Sequence, residues 1–231
     1  MAYERVLAVG AHPDDCEFFA GGTLAALARE GARVTICACT DGARGTVGEA
    51  EGLAARRRAE AERAAVAIGA TEVVMLGHPD GSLRDDELLI GDLVHEIRRL
   101  RPLLVLAHDP DTRWTRVGER YHLGHTDHQA AGRAALAALY PRAALPTFFP
   151  DQIEGGLKPW WVPELWLFDT AAPDWHRPLG DALDAKRAAL ACHESQNPGG
   201  ALVRAAEAFA EDARARCGVA AEALRRIPLR P

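Results

Sequence analysis

Short apolar runs alternate with longer segments of helical periodicity along most of the chain. The apolar runs predict strands at residues 5–10, 33–39, 72–76, 103–107 and 164–169. Apolar residues at helical spacing predict helices at residues 20–30, 53–68, 86–100, 127–140, 180–193 and 201–217. Strands that alternate with helices form repeated βαβ units, so the pattern predicts an α/β fold: a three-layer, Rossmann-like domain with a mostly parallel sheet.

The first four predicted strands are almost entirely apolar, which is typical of strands covered by helices on both faces. A chain of 231 residues is long enough for one sizeable core, and it contains no internal repeat. One domain is therefore predicted over residues 1–231. Residues 140–163 are rich in proline and have no clear period, which predicts a long loop that crosses the sheet edge.

Composition narrows the range of partners. The formal net charge is -6, and nucleic-acid binding needs a concentrated basic surface, so no nucleic-acid partner is expected. The five cysteines form an odd set without framework spacing, which favours a reducing compartment. No apolar run approaches the ~18 residues that cross a bilayer, and the N-terminus lacks a signal-peptide pattern. A cytoplasmic protein without membrane contact is expected, with a homo-oligomer left open.

Acidic residues and histidines follow the predicted strands. In open α/β sheets, ligands bind in the crevice outside the carboxyl ends of the strands, so these segments define a candidate site. Strand one is followed by "AHPDD", strand two by "TDGARG", strand three by "GHPDG", and strand four by "HDPDTRW" and then "ERYHLGHTDH". His78 and His108 follow strands three and four, where each is expected to be a supporting or loop residue rather than a metal ligand.

Two of these segments have the composition of a catalytic zinc site. His12 and Asp15 lie three residues apart in a turn, where an imidazole nitrogen and a carboxylate oxygen reach one point. Downstream, "HLGHTDH" supplies further histidines at intervals of three. A catalytic zinc takes three protein ligands and keeps one position for water, so the first two residues and one downstream histidine suffice for one Zn²⁺ per chain. Asp14 is then free to act as a general base.

The chain resembles the LmbE-like or PIG-L family of zinc-dependent N-acetylglucosaminyl deacetylases. "AHPDDCEFFAGGTLA" is similar to the family's AHPDD motif with its Gly-Gly-Thr, and "HTDHQAAG" is similar to its H-x-D-H motif. Weaker blocks follow in the family's order: "TDGARG", "RRAEAERAAVAIGA", "LGHPDGSL" and "KRAALACHESQ". Two positions differ from many members. Cys16 stands where they have glutamate, and Leu123 stands where the mycothiol-pathway members have a tyrosine.

The resemblance implies a role for seven residues. It implies zinc ligands at His12, Asp15 and His128, a general base at Asp14, and an oxyanion-stabilising or proton-donating group at His125. By looser correspondence it implies that Arg57 and Asp80 bind sugar hydroxyls. The expected reaction is hydrolysis of the N-acetyl group of an N-acetylglucosamine-type conjugate to a free amine and acetate.

Several alternatives stay open from the sequence. A crevice of aspartates and histidines also suits a two-metal phosphoesterase. An amidase acting on a non-sugar N-acyl amine would use the same residues, and a sugar- or nucleotide-binding module would keep the turn without the reaction. The proton for the departing amine comes either from Asp14 or from His125. Cys16 and His193 are further candidates for contact with the ligand, and Gly21 and Gly22 are expected to form the turn into the first helix.

Overall fold

The computed structural model describes residues 3–45 and 50–229 of the chain. Nine strands occur among these residues: β1 Arg5–Gly10, β2 Arg33–Thr40, β3 Glu72–His78, β4 Leu104–His108, β5 Trp114–Val117, β6 Arg120–Leu123, β7 Glu164–Phe168, β8 Trp175–Pro178 and β9 Ala221–Pro228. The α-helices are α1 Asp15–Arg29, α2 Leu53–Ile68, α3 Glu87–Leu100, α4 Thr126–Ala137, α5 Pro150–Glu154, α6 Ala182–Cys192 and α7 Ala201–Cys217. Within the described residues, no helix combines the length and the apolarity needed to span a membrane.

The central sheet has seven strands in the order β3-β2-β1-β4-β7-β9-β8. The first five strands in this order run parallel, whereas β9 is antiparallel to both of its neighbours. The chain moves outward from β1 to β3 and then returns to place β4 on the other side of β1. This reversal is a topological switch point, so the carboxyl ends of β1 and β4 form the crevice in which a ligand is expected.

Two hydrophobic layers cover the sheet. On one face, α3 and α4 contribute the buried side chains Leu89, Leu93, Ala131 and Ala134. On the other face, α1, α2 and α6 contribute Phe19, Leu24, Ala64 and Ala189. The predicted three-layer α/β fold with a mostly parallel sheet is therefore confirmed.

The structure corrects several details. The strand β3 is only half-buried, because it lies at the sheet edge and has a single strand neighbour. The sequence analysis missed the β5–β6 hairpin, the antiparallel strands β8 and β9, and the short helix α5 within the predicted loop. It also placed the start of α1 five residues too late, since the helix begins directly at Asp15.

Gly21 and Gly22 do not form the turn before the first helix, which is where they were predicted. Both lie inside α1. A Cβ atom on Gly22 would approach Leu179 Cδ2 to 2.4 Å. The backbone N–H groups of Gly22 and Thr23 donate to the carboxylate of Glu222, which also pairs with Lys186. These small residues therefore allow α1 to approach the last strand of the sheet closely.

The buried side chain of Arg98 organises the segment after α4. Arg98 is 2% exposed, and its guanidinium donates to the backbone carbonyl oxygens of Arg142, Ala143, Leu145, Phe148 and Phe149. It also donates to the side chain of Gln152. One buried cation thus satisfies the carbonyl groups of a loop that has no sequence periodicity, and these hydrogen bonds fix the path of the loop.

We expect Arg98→Met to destabilise the protein strongly. Methionine fills a similar volume but leaves several buried carbonyl groups without a donor, so the free energy of unfolding should fall by about 3 kcal/mol, or roughly 6–12 °C in Tm. Thermal unfolding followed by circular dichroism measures this change. Arg99→Met is the matched control, because Arg99 pairs with Glu72 and Glu96 near the surface and should cost under about 1 kcal/mol. Equal effects of the two substitutions would contradict the assignment.

Candidate metal centre and active site

The structure brings His12, Asp15 and His128 together at the switch point. One potential ligand atom from each residue lies within 4.8 Å of the others. His12 Nδ1 is 3.4 Å from Asp15 Oδ2, and His128 Nε2 is 3.2 Å from Asp15 Oδ1. Two imidazoles and a carboxylate at this spacing could hold a metal ion.

Local backbone geometry explains how these side chains meet. His12 follows β1, and Asp15 opens α1 after a short turn in which the Asp14 N–H donates to the His12 carbonyl. A Cβ on Gly10 would lie 3.0 Å from Asp15 Cβ, so glycine allows the helix to start close to the strand. On α4, a Cβ on Gly132 would lie 2.6 Å from the His108 carbonyl oxygen. Glycine there lets α4 lie against the end of β4 and places His128 over the crevice.

Two groups besides His128 hold the carboxylate of Asp15 in place. Its Oδ2 accepts the backbone N–H of His12 at 2.7 Å and lies 3.0 Å from His108 Nε2. Burial raises the pKa of Asp15, but His128, His108 and His12 outweigh burial and hold it well below its usual range. The group is therefore ionised, with Oδ1 directed toward His128.

Each histidine of the cluster has a second carboxylate on its other nitrogen. His12 Nε2 lies 3.2 Å from Asp80 Oδ1 and 3.5 Å from Asp127 Oδ2. His128 Nδ1 lies 3.2 Å from Asp169 Oδ2. Metal-binding histidines donate their other ring N–H to such carboxylates, which fixes the tautomer and raises the basicity of the ligand nitrogen. The surroundings of His12 and His128 fit this pattern.

The cluster has an excess of negative charge that suits a cation. Burial lowers the pKa of His12, but Asp15, Asp127 and Asp80 outweigh burial and raise it to about 12. In the same way Asp15 and Asp169 raise the pKa of His128 to about 9 against the effect of burial. The carboxylates that favour protonation of the His12 and His128 rings would also favour a divalent metal ion bound in place of those protons. The donor set therefore fits a metal.

Asp14 lies beside the cluster without joining it. Its Oδ1 accepts a hydrogen bond from Arg57 Nη2 at 2.9 Å. Burial raises the pKa of Asp14, and the neighbouring Asp15 adds to the increase, while Arg57 opposes it. A largely buried carboxylate of raised pKa is a better proton acceptor than an exposed aspartate, and its role as a base stays a prediction.

His125 begins α4 as its N-terminal cap. Its Nδ1 accepts the backbone N–H of Asp127 at 3.1 Å, so the neutral ring carries its proton on Nε2. The ring centroid lies 4.8 Å from that of His12. Burial and then the neighbouring His12 lower the pKa of His125. The neutral form, a hydrogen-bond donor at Nε2, is therefore favoured.

Arg57 and Asp80, which were predicted to bind sugar hydroxyls, are already engaged with protein groups. Arg57 is 2% exposed and donates to the carbonyls of Gly42 and Pro13 as well as to Asp14. Asp80 accepts the backbone N–H of Arg44 and faces His12. Both residues still line the pocket, so substrate contact stays a prediction, while the observed contacts position the side chains of Asp14 and His12.

A pocket of about 380 Å³ opens over the cluster. The residues that line it, besides the seven predicted ones, are Arg44, Gly45, Gly81, His122, Leu123 and Gln196. Cys16 lies in the hydrophobic core instead of in this pocket. His193 is buried, with Nε2 3.7 Å from Glu17 Oε1, and does not line the pocket. The block "KRAALACHESQ" instead contributes Gln196 to the pocket lining. His78 pairs with Asp92, outside the pocket lining.

Sequence reasoning missed two carboxylates that face the predicted ligands His12 and His128. Asp127 stands inside the "HTDH" motif, and its carboxylate accepts the N–H groups of Gly81 and Leu83. Asp169 follows β7 and has a positive φ of 51°, a backbone conformation that is uncommon outside glycine and that clusters at functional sites. A signal existed for Asp169, because it ends the fifth predicted strand at the carboxyl edge of the sheet.

Comparison with known proteins decides the family. The family model described as PIG-L, GlcNAc-PI de-N-acetylase, matches residues 7–139. The chain belongs to the PIG-L family. The matched region contains all seven residues predicted to form the site, so the family predicted from the two motifs is confirmed.

Similar proteins are named as deacetylases. A diacetylchitobiose deacetylase of Thermococcus kodakarensis is 33% identical over 84% of this chain and 71% of its own length. A 1D-myo-inositol 2-acetamido-2-deoxy-alpha-D-glucopyranoside deacetylase of Nakamurella multipartita is 35% identical over 62% of this chain, which spans only 56% of that protein. The solved N,N'-diacetylchitobiose deacetylase of Pyrococcus horikoshii superposes with a TM-score of 0.86 at 28% identity, covering 98% of this chain and 84% of that one. The predicted class, an enzyme of the deacetylase type, is confirmed.

Proposed function

We propose that the protein is a zinc-dependent N-deacetylase that converts an N-acetylglucosamine-type conjugate and water to the free amine and acetate. The observation that carries this proposal is the cluster of His12, Asp15 and His128 beside the largely buried Asp14 in one open pocket. The deacetylase relatives support the reaction type. The proposal includes a single domain over residues 1–231 and a cytoplasmic location.

One zinc ion per chain would be held by His12, Asp15 and His128. When bound, zinc polarises the acetamide carbonyl and lowers the pKa of water to about 7. Asp80 and Asp127 would orient His12, while Asp169 would orient His128. His108 would keep Asp15 turned so that Oδ1 faces the metal position.

Asp14 accepts the proton of the attacking water in this proposal. Arg57 holds the carboxylate at a fixed position by a hydrogen bond to Oδ1, which leaves the other oxygen available for proton transfer. When the tetrahedral intermediate collapses, the nitrogen of the departing amine needs a proton. The protonated Asp14 returns it, because the lowered pKa of His125 favours the neutral ring, which has no extra proton to give to the amine.

His125 stabilises the oxyanion as a neutral hydrogen-bond donor. Its Nδ1 is occupied by the Asp127 N–H, so its Nε2 carries the proton that the oxyanion accepts. Preorganised donors of this kind contribute about 3–4 kcal/mol to lowering the barrier. Arg57 and Asp80 keep their predicted contact with sugar hydroxyls as part of the proposal.

An acetate-release assay tests the function. The purified protein is expected to release acetate from N-acetylglucosamine conjugates or N-acetylated chitooligosaccharides and to contain about one zinc per chain. Two metal ions about 4 Å apart, with hydrolysis of phosphate esters, would support the phosphoesterase instead. Hydrolysis restricted to non-sugar N-acyl amines would support the amidase, and no release of acetate from any acetylated amine would support a binding module.

Asp169→Asn is expected to weaken zinc binding by about 10–100-fold, because the neutral amide lowers the basicity of His128. Competition with a chromogenic chelator measures the affinity directly. Asp109→Asn is the matched control: Asp109 is also buried, but it accepts a hydrogen bond from Thr170 Oγ1 instead of facing a histidine. Equal zinc affinity in wild type and Asp169→Asn would show that Asp169 does not support the metal.

A further inference from the structure

The β5–β6 hairpin presents an apolar face to solvent. In the antiparallel register Trp114 pairs with Leu123, and Arg116 pairs with Tyr121. These four side chains therefore lie on one face, and residues Thr115 and His122 lie on the other. The exposed fractions are 55% for Trp114, 67% for Tyr121 and 76% for Leu123. The other large exposed apolar residues occur on separate elements, so this apolar face is a contiguous patch of the described surface.

The apolar face is continuous with the active-site pocket. Trp114, Tyr121 and Leu123 line an open pocket with a volume of about 400 Å³. Leu123 also lines the pocket that contains the metal cluster. His122 lines that pocket as well. One hairpin therefore forms both a wall of the catalytic pocket and the surface immediately outside it.

This continuity indicates which molecule the apolar face contacts. Leu123 lines both the apolar face and the pocket over the metal cluster, so a substituent on an acetamido sugar in that pocket would extend onto this face. A second copy of the chain seated on the same face would cover Leu123, and with it one wall of the pocket that the substrate enters. Among the four side chains of this face only Arg116 is charged, so an apolar substituent fits it best.

We propose that the apolar face of the hairpin is a subsite for an apolar aglycone, an alkyl or aryl group attached to the acetamido sugar. The inference rests on the proposed deacetylase function and specifies its substrate class. The sugar's acetamide would reach the metal cluster while the aglycone lies against Trp114, Tyr121 and Leu123. The aromatic rings supply flat apolar area at low entropic cost.

Two glycosides that differ only in the aglycone test the subsite. For the wild type we expect kcat/KM for the octyl glycoside of N-acetylglucosamine, below its micellar concentration, to exceed that for the methyl glycoside by about tenfold. In the double variant Trp114→Ser/Leu123→Ser this ratio should fall toward one. Leu88→Ser is the matched control, because Leu88 is 67% exposed on α3 and the variant should keep the wild-type ratio.

A binding measurement separates failure of the subsite from failure of the proposed function. If neither glycoside nor any other acetylated amino sugar is deacetylated, the proposed function is wrong, and calorimetric titration with both glycosides still tests the subsite. Tighter binding of the octyl glycoside that the double variant loses would then support it. A ratio near one in the wild type, or an unchanged ratio in the double variant, would overturn the subsite. So would a wild-type oligomer that light scattering shows to dissociate in the double variant.

Discussion

Asp14→Asn is expected to lower kcat by about 10²–10⁴-fold, the range that a general base contributes, while the protein keeps its zinc. The amide oxygen of asparagine still accepts the hydrogen bond from Arg57, so the local geometry is preserved. What the substitution removes is the ability to take a proton from the attacking water and return it to the amine. Asp14 does not belong to the ligand cluster, so metal content should not change.

Steady-state kinetics on an active acetylated conjugate, together with elemental analysis for zinc, measure both parts of this prediction. Asp85→Asn is the control for removal of a carboxylate, because Asp85 pairs with Arg133 on the surface. An undiminished rate in Asp14→Asn would show that another group is the base. Loss of zinc in that variant would instead place Asp14 among the ligands.

Hydrophobic patterning predicted the central strands because they are buried on both faces and are therefore apolar at consecutive positions. The strands β1, β2, β4 and β7 are continuous apolar runs, and each was found within one residue of its predicted limits. The antiparallel strands β8, at the sheet edge, and β9, beside it, were missed for a physical reason. Both contain charged residues such as Arg177, Arg225 and Arg226 whose side chains are partly or fully exposed, so neither strand is a continuous apolar run.

The site could be predicted where its residues are close in sequence and could not where tertiary contacts define them. His12, Asp14 and Asp15 occupy one turn, so their spacing alone indicates a shared target. The roles of Asp127 and Asp169 depend on which imidazole nitrogen they face. That information arises only when α4 and the end of β7 meet at the switch point.

The structure also adds a physical role for two residues predicted to contact sugar. Arg57 lies buried and holds Asp14, the proposed base, and Asp80 faces the nitrogen of His12 that points away from Asp15. Correspondence between sequences places a residue near a ligand but does not distinguish direct contact from support of a neighbour. The hydrogen bonds of the folded chain make this distinction possible.

His128→Ala is expected to weaken zinc binding more than about 100-fold, beyond the loss that follows removal of an outer carboxylate. The substitution removes one of three proposed ligands and leaves His108 as the histidine that Asp15 and Asp169 share. Hydrolysis of an acetylated conjugate should decline in parallel, and added zinc at high concentration should restore part of it by mass action.

The control for this prediction is His122→Ala, which removes a histidine from the same "HLGHTDH" segment. His122 lies on β6 with its ring 5.6 Å from that of Phe209, and it is not part of the ligand cluster. After dialysis against a weak chelator, His122→Ala should retain about one zinc per chain and His128→Ala should retain little. A full zinc complement in His128→Ala would contradict its assignment as a ligand. Loss of zinc from both variants would contradict the assignment of the metal to His12, Asp15 and His128 alone.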